Sequence, residues 1–406
     1  MNKVSKVLII IICSIAILSG VVYAGLQVYK KITGRAGIIP TFTSNIDLGS
    51  IDTNKVWVGT FNLAWNELMN KIIGEPVEFE GGNPEIANDL NKQNFTKEML
   101  NENSYYIEVD RINNALRKKI QTNLKNKFNT ESDVLNRINW DAKNNEYLIY
   151  AMLNKNFTFE TPFPIDLWKF KDSEKKFKFF ELGSPTMEKT FEQVTALFYN
   201  SKNDFAVKID TKEGEELILY RTDNVKNFSE NYKELQDKAK VYNGKKELIR
   251  EKDELKVPFI NVNTDINYDE LCNRTIKGTN GAYIKQAVQT VKFKLDNYGG
   301  NLTSEGYVDI YMSDSLEEPR YFYLDNTFVL YMKEKDKTTP YFALLVDNTD
   351  VLVENDRTNA NTWFWSFFGP KGTGDCMSLG TWIVTFCYQK VKKIPNFAWH
   401  SSKNHV

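Results

Sequence analysis

Histidine is nearly absent from this chain. Of 406 residues only His400 and His405 carry an imidazole, both close to the C-terminal end. A His-dependent catalytic triad or a His-based metal site in the body of the protein is thereby excluded. Cysteine is also sparse: Cys13, Cys272, Cys376 and Cys387 give no zinc-ligand spacing and imply no disulfide framework. An excess of basic charge is missing too, since 52 Lys and Arg face 53 Asp and Glu. No nucleic-acid partner is therefore expected. No Ser-x-x-Lys stands at a helix start with supporting residues, and Ser173 and Ser201 lie in charged turns. An anchored hydrolase is disfavoured on that ground. No internal repeat or low-complexity tract is visible, and no catalytic residue, metal ligand or cofactor is assigned.

One long apolar run is present. Residues 7–29 are interrupted only by small or uncharged side chains such as Ser14, Ser19 and Gln27. Lys3 and Lys6 precede the run, and Lys30, Lys31 and Arg35 follow it. Its length suits a membrane-spanning helix, which needs about 20 residues. Val22-Tyr23-Ala24 is a tolerable signal-peptidase site, but the run continues past Ala24, which favours an uncleaved anchor. Either way the body is exported, and the expected location is extracytoplasmic, membrane-anchored or secreted.

The expected domain organisation follows from composition. Residues 1–35 read as a signal anchor or signal peptide, and 36–54, rich in Gly, Pro, Ser and Thr, as a polar stalk. Residues 55–355 form the folded body. Residues 356–406 form an extension in which Trp363, Phe364, Trp365, Phe367, Phe368, Trp382, Phe386 and Trp399 crowd a polar, basic segment. Gly369-Pro370-Lys371-Gly372-Thr373-Gly374 lacks the Gly-Lys-Ser/Thr end of a phosphate loop, and 381–389 is too short to span a bilayer.

Within the body, helical signals come first. Residues 58–73 show helical spacing, and 75–94 read as an acidic loop. Helical spacing returns over 111–128, where Ile112, Leu116, Ile120, Leu124 and Phe128 repeat every four residues. Lys118, Lys119, Lys125 and Lys127 lie off that stripe, as on a surface helix packed on a sheet. From residue 146 onward strands dominate: 146–159, 175–182, 190–199, 204–209 and 215–220. Residues 225–240 read as a helix, 257–262 as a strand and 268–273 as a short helix. The layout is α+β, helices first and antiparallel sheets later.

The closing third is the most telling. Ala287-Val288-Gln289-Thr290-Val291-Lys292-Phe293-Lys294-Leu295-Asp296-Asn297-Tyr298-Gly299-Gly300 reads as an alternating strand ending in a double glycine. An exposed-looking segment, 301–319, follows, and then two strands over 322–332 and 340–346. This order resembles the C-terminal third of the serpins. Further segments resemble the family in the same order. Phe61-Asn62-Leu63-Ala64-Trp65 resembles its first helix, and 112–128 followed by Leu135 the helix crossing its main sheet. Leu148-Ile149-Tyr150-Ala151-Met152-Leu153-Asn154-Lys155-Asn156-Phe157, with Pro162-Phe163 beyond, is similar to its central strand. Gln193-Val194-Thr195-Ala196-Leu197-Phe198-Tyr199 with Phe205-Ala206-Val207-Lys208-Ile209, then Val257-Pro258-Phe259, then Thr338-Thr339-Pro340-Tyr341-Phe342 match the later strands.

The resemblance implies a serpin-like α+β fold, with N-terminal helices packed on large antiparallel and mixed sheets and an exposed reactive loop near the C-terminus. It implies an inhibitor of a serine or cysteine protease, acting by cleavage of the loop and its insertion into the main sheet. The implied partners are a target protease and, through the N-terminal helix, the membrane. Asn297, Tyr298, Gly299, Gly300, Leu302, Ser304 and Gly306 stand where the family has its hinge, and Met312-Ser313 where it has its bait bond, with 311–320 open. Two departures are plain. The three helices and the "N-x-x-x-S-P" motif of the family are missing between the first helix and Phe95. Asn297-Tyr298-Gly299-Gly300 replaces the usual Glu-Glu-Gly-Thr. The alternative is a non-inhibitory, surface-anchored binding or structural protein that keeps the architecture.

An inserted strand must present alternate side chains to the core. From Gly300 the inward set is Gly300, Leu302, Ser304, Gly306, Val308 and Ile310; the outward set is Asn301, Thr303, Glu305, Tyr307 and Asp309. No charge falls inward, where an unpaired one would be costly. With about a quarter of residues charged, chance gives that outcome roughly one time in six. The alternation therefore favours insertion over an ordinary surface loop.

Overall fold

The computed structural model describes residues 38–41, 44–45, 48, 53–141, 146–183, 188–249, 252–300 and 318–355. The chain divides by compactness into units 1–355 and 356–406. The apolar run, the loop residues 301–317 and the aromatic extension lie outside the described residues. Among the described residues no helix is long and apolar enough to cross a membrane.

The core is built on a seven-stranded sheet. Its strands are β1 (Ile38–Pro40), β2 (Asn54–Val58), β8 (Val194–Ser201), β9 (Asp204–Asp210), β10 (Glu215–Arg221), β16 (Phe328–Glu334) and β17 (Phe342–Val346). They lie in the order β1-β2-β17-β16-β10-β9-β8. Every residue of β2, β10, β16 and β17 is buried. These strands read as near-continuous apolar runs because both their faces are covered. All pairings are antiparallel except β1 with β2. A second, four-stranded sheet has the order β15-β11-β7-β6, formed by Ile165–Lys169 (β6), Lys176–Leu182 (β7), Glu254–Pro258 (β11) and Tyr321–Tyr323 (β15). Phe163, Phe179, Phe180 and Phe322 bring a dense aromatic filling to the interior.

Two hairpin-like pairs complete the body: β3 (Tyr105–Arg111) with β4 (Tyr147–Leu153), and β12 (Ile260–Asn267) with β13 (Val288–Leu295). Helix α1 (Thr60–Glu67) runs on into a π-helical turn, Leu68–Ile73. Helix α2 (Glu85–Asn91) is short. Helix α3 (Asn114–Phe128) begins at Asn113, whose side chain accepts the Leu116 N–H, and ends at Asn129 in the left-handed region. Its buried stripe Leu116, Ile120 and Leu124 forms a separate small core with Leu135, Trp140 and Tyr150. Helices α4 (Glu188–Glu192) and α5 (Phe228–Val241) complete the set among the described residues.

Several expectations change. Part of the segment 36–54, read as a stalk, is attached to the body: Ile38–Pro40 extends the large sheet and Leu48 is buried. The acidic loop holds α2, whose Ile86, Ala87 and Leu90 are buried. The strand expected over 190–199 is α4 followed by β8. The run expected as one strand over 322–332 is broken at Leu324–Thr327, so that β15 joins the small sheet and β16 the large one. The polar Asp325-Asn326 pair is the turn chemistry that divides them. The strand ending in the double glycine stops at Leu295.

Leu344 lies in the middle of β17 with no exposed surface. Leu344→Ala should destabilise the protein by about 2–5 kcal/mol, read as a lowered urea midpoint, and an unchanged midpoint would contradict this placement.

Candidate functional site

Of the residues expected to form a hinge, Asn297, Tyr298, Gly299 and Gly300 gather where β13 ends. Asp296 and Gly299 close a two-residue turn, with the Asp296 N–H donating to Gly299 O at 3.0 Å and the Gly299 N–H to Asp296 O at 3.2 Å. The Asp296 carboxylate also accepts the Tyr298 N–H at 2.9 Å. The chain therefore reverses, and Gly299–Gly300 (β14) pairs antiparallel with Phe157–Thr158 (β5). Asn297 is pinned on the same side. Its side chain donates to Phe163 O at 3.1 Å, and its carbonyl accepts the Phe163 N–H at 3.0 Å. Tyr298 O accepts the Phe159 N–H at 2.9 Å.

Gly299 is required here on two counts. Its φ is +104°, and a Cβ would stand 2.6 Å from Phe157 O. A side chain would meet backbone, which cannot swing aside. The structure thus brings Asn297, Tyr298, Gly299 and Gly300 together as a pinned turn. Leu302, Ser304, Gly306, Met312 and Ser313 lie outside the described residues.

Near the turn β4 and β13 each leave one edge unpaired among the described residues, and these two edges make the seam. Among the described residues β4 pairs only with β3, and β13 only with β12, while β14 joins the two pairs at one end. Ile149, Ala151 and Leu153 of β4 pack on the main core, as do Val291, Phe293 and Leu295 of β13. Leu148, Tyr150 and Met152 face the α3 cluster.

At the same end sits a buried charge cluster that sequence reasoning did not find. Lys155 contacts Glu215 and Glu334, each at 2.5 Å. Glu334 also accepts from the Ser104 hydroxyl and, at 2.7 Å, from the Asn101 N–H. Tyr341 donates its phenol to Glu215 at 2.8 Å. The cluster borders a cleft of about 510 Å³. Burial pushes the Glu215 carboxyl above its usual range, against the pull of Lys155. Burial likewise pushes the Tyr341 phenol up. The partners lie far apart in sequence, so local pattern gives no warning of them. The one available signal is a charge at a core-facing strand position.

Arg320, at the far end of the range left open for the bait bond, is an anchor. Its guanidinium grips the fully buried carboxylate of Asp253 at 2.6 and 3.1 Å and donates to Lys245 O and Glu247 O. It also lies 5.3 Å from the centroid of the Phe322 ring. A bidentate, desolvated pair of this kind is strong, and it leaves Arg320 unsuited to enter a protease pocket.

No family model and no curated protein matches the sequence. Solved structures do resemble it. A structure of Serpin48, described as a highly specific serpin in the insect Tenebrio molitor, is 13% identical, covers 73% of this chain and 92% of its own, and has a TM-score of 0.41. The mouse protein-Z dependent protease inhibitor is 13% identical over 73% and 91%, with a TM-score of 0.44. Thyroxine-binding globulin in complex with thyroxine is 13% identical over 60% and 76%, with a TM-score of 0.36.

Two predictions follow from this geometry. Gly299→Ala should abolish the β14–β5 pairing, seen as loss of hydrogen-exchange protection at the Phe159 amide while the large sheet stays protected; retained protection would contradict it. The second concerns Glu215, whose folded pKa lies above its unfolded value. It stabilises the fold most below the ordinary value of 4.5, and that contribution is lost as pH rises through the folded value. Glu215→Gln should therefore gain in stability relative to the unaltered protein as pH rises from below 4.5 through the raised folded value. A difference in unfolding free energy that does not vary with pH would refute this. The fold of this chain, read from its own sheets and helices, is α+β.

Proposed function

We propose that this is an exported, membrane-tethered serpin-like inhibitor of a serine or cysteine protease, without catalytic activity of its own. Its segment 301–319 is bait, with Met312-Ser313 the candidate bond, and after cleavage it inserts between β4 and β13 as a new strand. One observation carries this reading: the chain has already turned back at Asp296–Gly299 and paired antiparallel with β5 at the head of the seam. Continuing the β5 register places Leu302, Ser304, Gly306 and Val308 opposite Lys155, Leu153, Ala151 and Ile149. Continuing the register of the turn places Leu302 and Ser304 opposite Phe293 and Val291. Leu153, Ala151, Ile149, Phe293 and Val291 all pack on the main core. Both edges thus assign the uncharged set to the inside, in agreement with the alternation from Gly300. Lys155 is already neutralised by its two carboxylates and offers Leu302 its aliphatic stem.

The energetics favour a visible effect. A strand of about ten residues that completes two ladders adds on the order of 10 kcal/mol at about 1 kcal/mol per net hydrogen bond. That is comparable with the whole stability of an ordinary domain, about 5–15 kcal/mol. The export half of the proposal rests on the apolar run 7–29 with its flanking lysines.

A second reading, a non-inhibitory surface binding or structural protein, is favoured by the short stretch between α1 and β3. Beyond the π-helical turn Leu68–Ile73, that stretch holds only α2 and two 3₁₀ turns among its described residues. Clipping the loop with a protease and comparing thermal unfolding before and after separates the two. Inhibition requires a large rise in stability and a covalent protease complex that survives denaturant. Gly300→Arg, which puts a charge on the inward set, should turn inhibitor into substrate. Unchanged stability with simple degradation would leave the second reading standing.

A further inference from the structure

A cleft of about 310 Å³ opens between the β8–β9 turn, the end of β10 and β15. Small-molecule sites start at roughly 300 Å³. Lys202, Asn203, Arg221, Tyr321, Tyr323 and Asp325 line the cleft. The alternation of β15 turns Tyr321 and Tyr323 to one side, away from the buried Phe322, and their ring centroids lie 5.6 Å apart. Acceptors in this lining are already taken. Arg221 Nη1 donates to Tyr323 O at 2.5 Å and to Asp325 Oδ1 at 2.6 Å, and its Nη2 donates to Asn203 Oδ1 at 3.2 Å. Asp325 Oδ2 accepts the Trp168 indole N–H at 3.2 Å. Donors, in contrast, are left over. Arg221 has used three of its five N–H groups. The Lys202 ammonium, the Asn203 side-chain N–H groups and the Tyr321 hydroxyl have no partner among the described residues. The Tyr323 hydroxyl alone is committed, to Glu254.

We propose that this cleft binds a small carboxylate carried on a flat ring. Spare donors with no spare acceptors select an oxyanion, and charge-assisted hydrogen bonds are the strong ones. Charge narrows the choice. Lys202 and Arg221 face the single carboxylate of Asp325, so the lining has an excess of one positive charge. That suits a monoanion better than a phosphate ester, which carries about −1.5 to −2 at neutral pH. Tyr321, 40% exposed, supplies an aromatic face on which a ring can stack. Arg221 is held in place by Asp325, Asn203 and the β15 backbone, so the floor of the site is formed before any ligand arrives. A bound ligand would bridge β10, the β8–β9 turn and β15. The site goes beyond the inhibitory reading and does not depend on it, since neither the seam nor the segment 301–319 takes part.

The test uses the full chain and benzoate as the probe, titrated by ligand-observed NMR. Acetate serves as the anion without a ring and benzamide as the ring without a charge. Benzoate should bind saturably and at least about fivefold more tightly than either control. Lys202→Glu, in an exposed turn, should weaken benzoate about tenfold or more, while Lys202→Arg keeps the affinity. Tyr321→Ala should weaken benzoate about fivefold and leave acetate unchanged. Binding that does not saturate, benzamide as tight as benzoate, or a Lys202→Glu protein that binds benzoate unchanged would overturn the site. Should Tyr321→Ala not fold, the unaltered protein decides the part played by the ring: acetate as tight as benzoate overturns it. Clipping the loop at 301–319 tests the reading above separately, and a failure there leaves the benzoate result standing.

Discussion

The Lys155 ammonium, shared by two buried carboxylates, is the interaction on which the rest of this structure depends. Glu215 begins β10 and Glu334 ends β16, both in the large sheet, while Lys155 follows β4 and Ser104 precedes β3. One charge cluster therefore ties the smaller strand pair to the core. Two carboxylates and one ammonium leave a net negative charge, which burial penalises. The penalty is offset by donors from Ser104, Asn101 and Tyr341. Because the cluster is held from four elements, β5 just beyond it has a fixed position. The hinge turn can then be pinned against β5.

That dependence runs in one direction along the chain. Thr158 is held in turn by Glu213, which accepts both its N–H and its hydroxyl. Phe157 and Phe159 are buried, so β5 is a rigid shelf despite its two residues. Gly299 can approach such a shelf only because it lacks a side chain. The close backbone approach, the left-handed φ and the alternation beyond it form one device. The α3 layer lies on the other face, so opposite sides of the seam are set by different parts of the sequence.

Much of the fold was legible because it is written in periodicity. The four-residue repeat of Leu116, Ile120 and Leu124 gave α3, and the buried runs of β10, β16 and β17 announced central strands. What periodicity could not give was a change of sheet within an apolar run, as at Leu324–Thr327, where two polar residues outweigh the flanking aromatics. Nor could it show that the strand before Gly300 stops at Leu295. Asp296 and Asn297 continue the alternation in pattern but form a turn through side-chain hydrogen bonds. Asn297, Tyr298, Gly299 and Gly300 were named from sequence as candidates for a hinge; the pinned turn they form was not legible there. The Lys155 cluster and the Arg320–Asp253 pair join residues far apart in the chain, and local pattern is blind to such distances.

Arg320 gives the far end of the loop a fixed mooring, and this turns chain length into a limit. Nineteen residues, 301–319, separate the pinned Gly300 from Arg320. Under the insertion proposed above, every residue that passes down the seam would use about 3.4 Å of chain and shorten by one the line left to reach back to Asp253. A single cut along the segment would slacken that line with no change in any contact of the body.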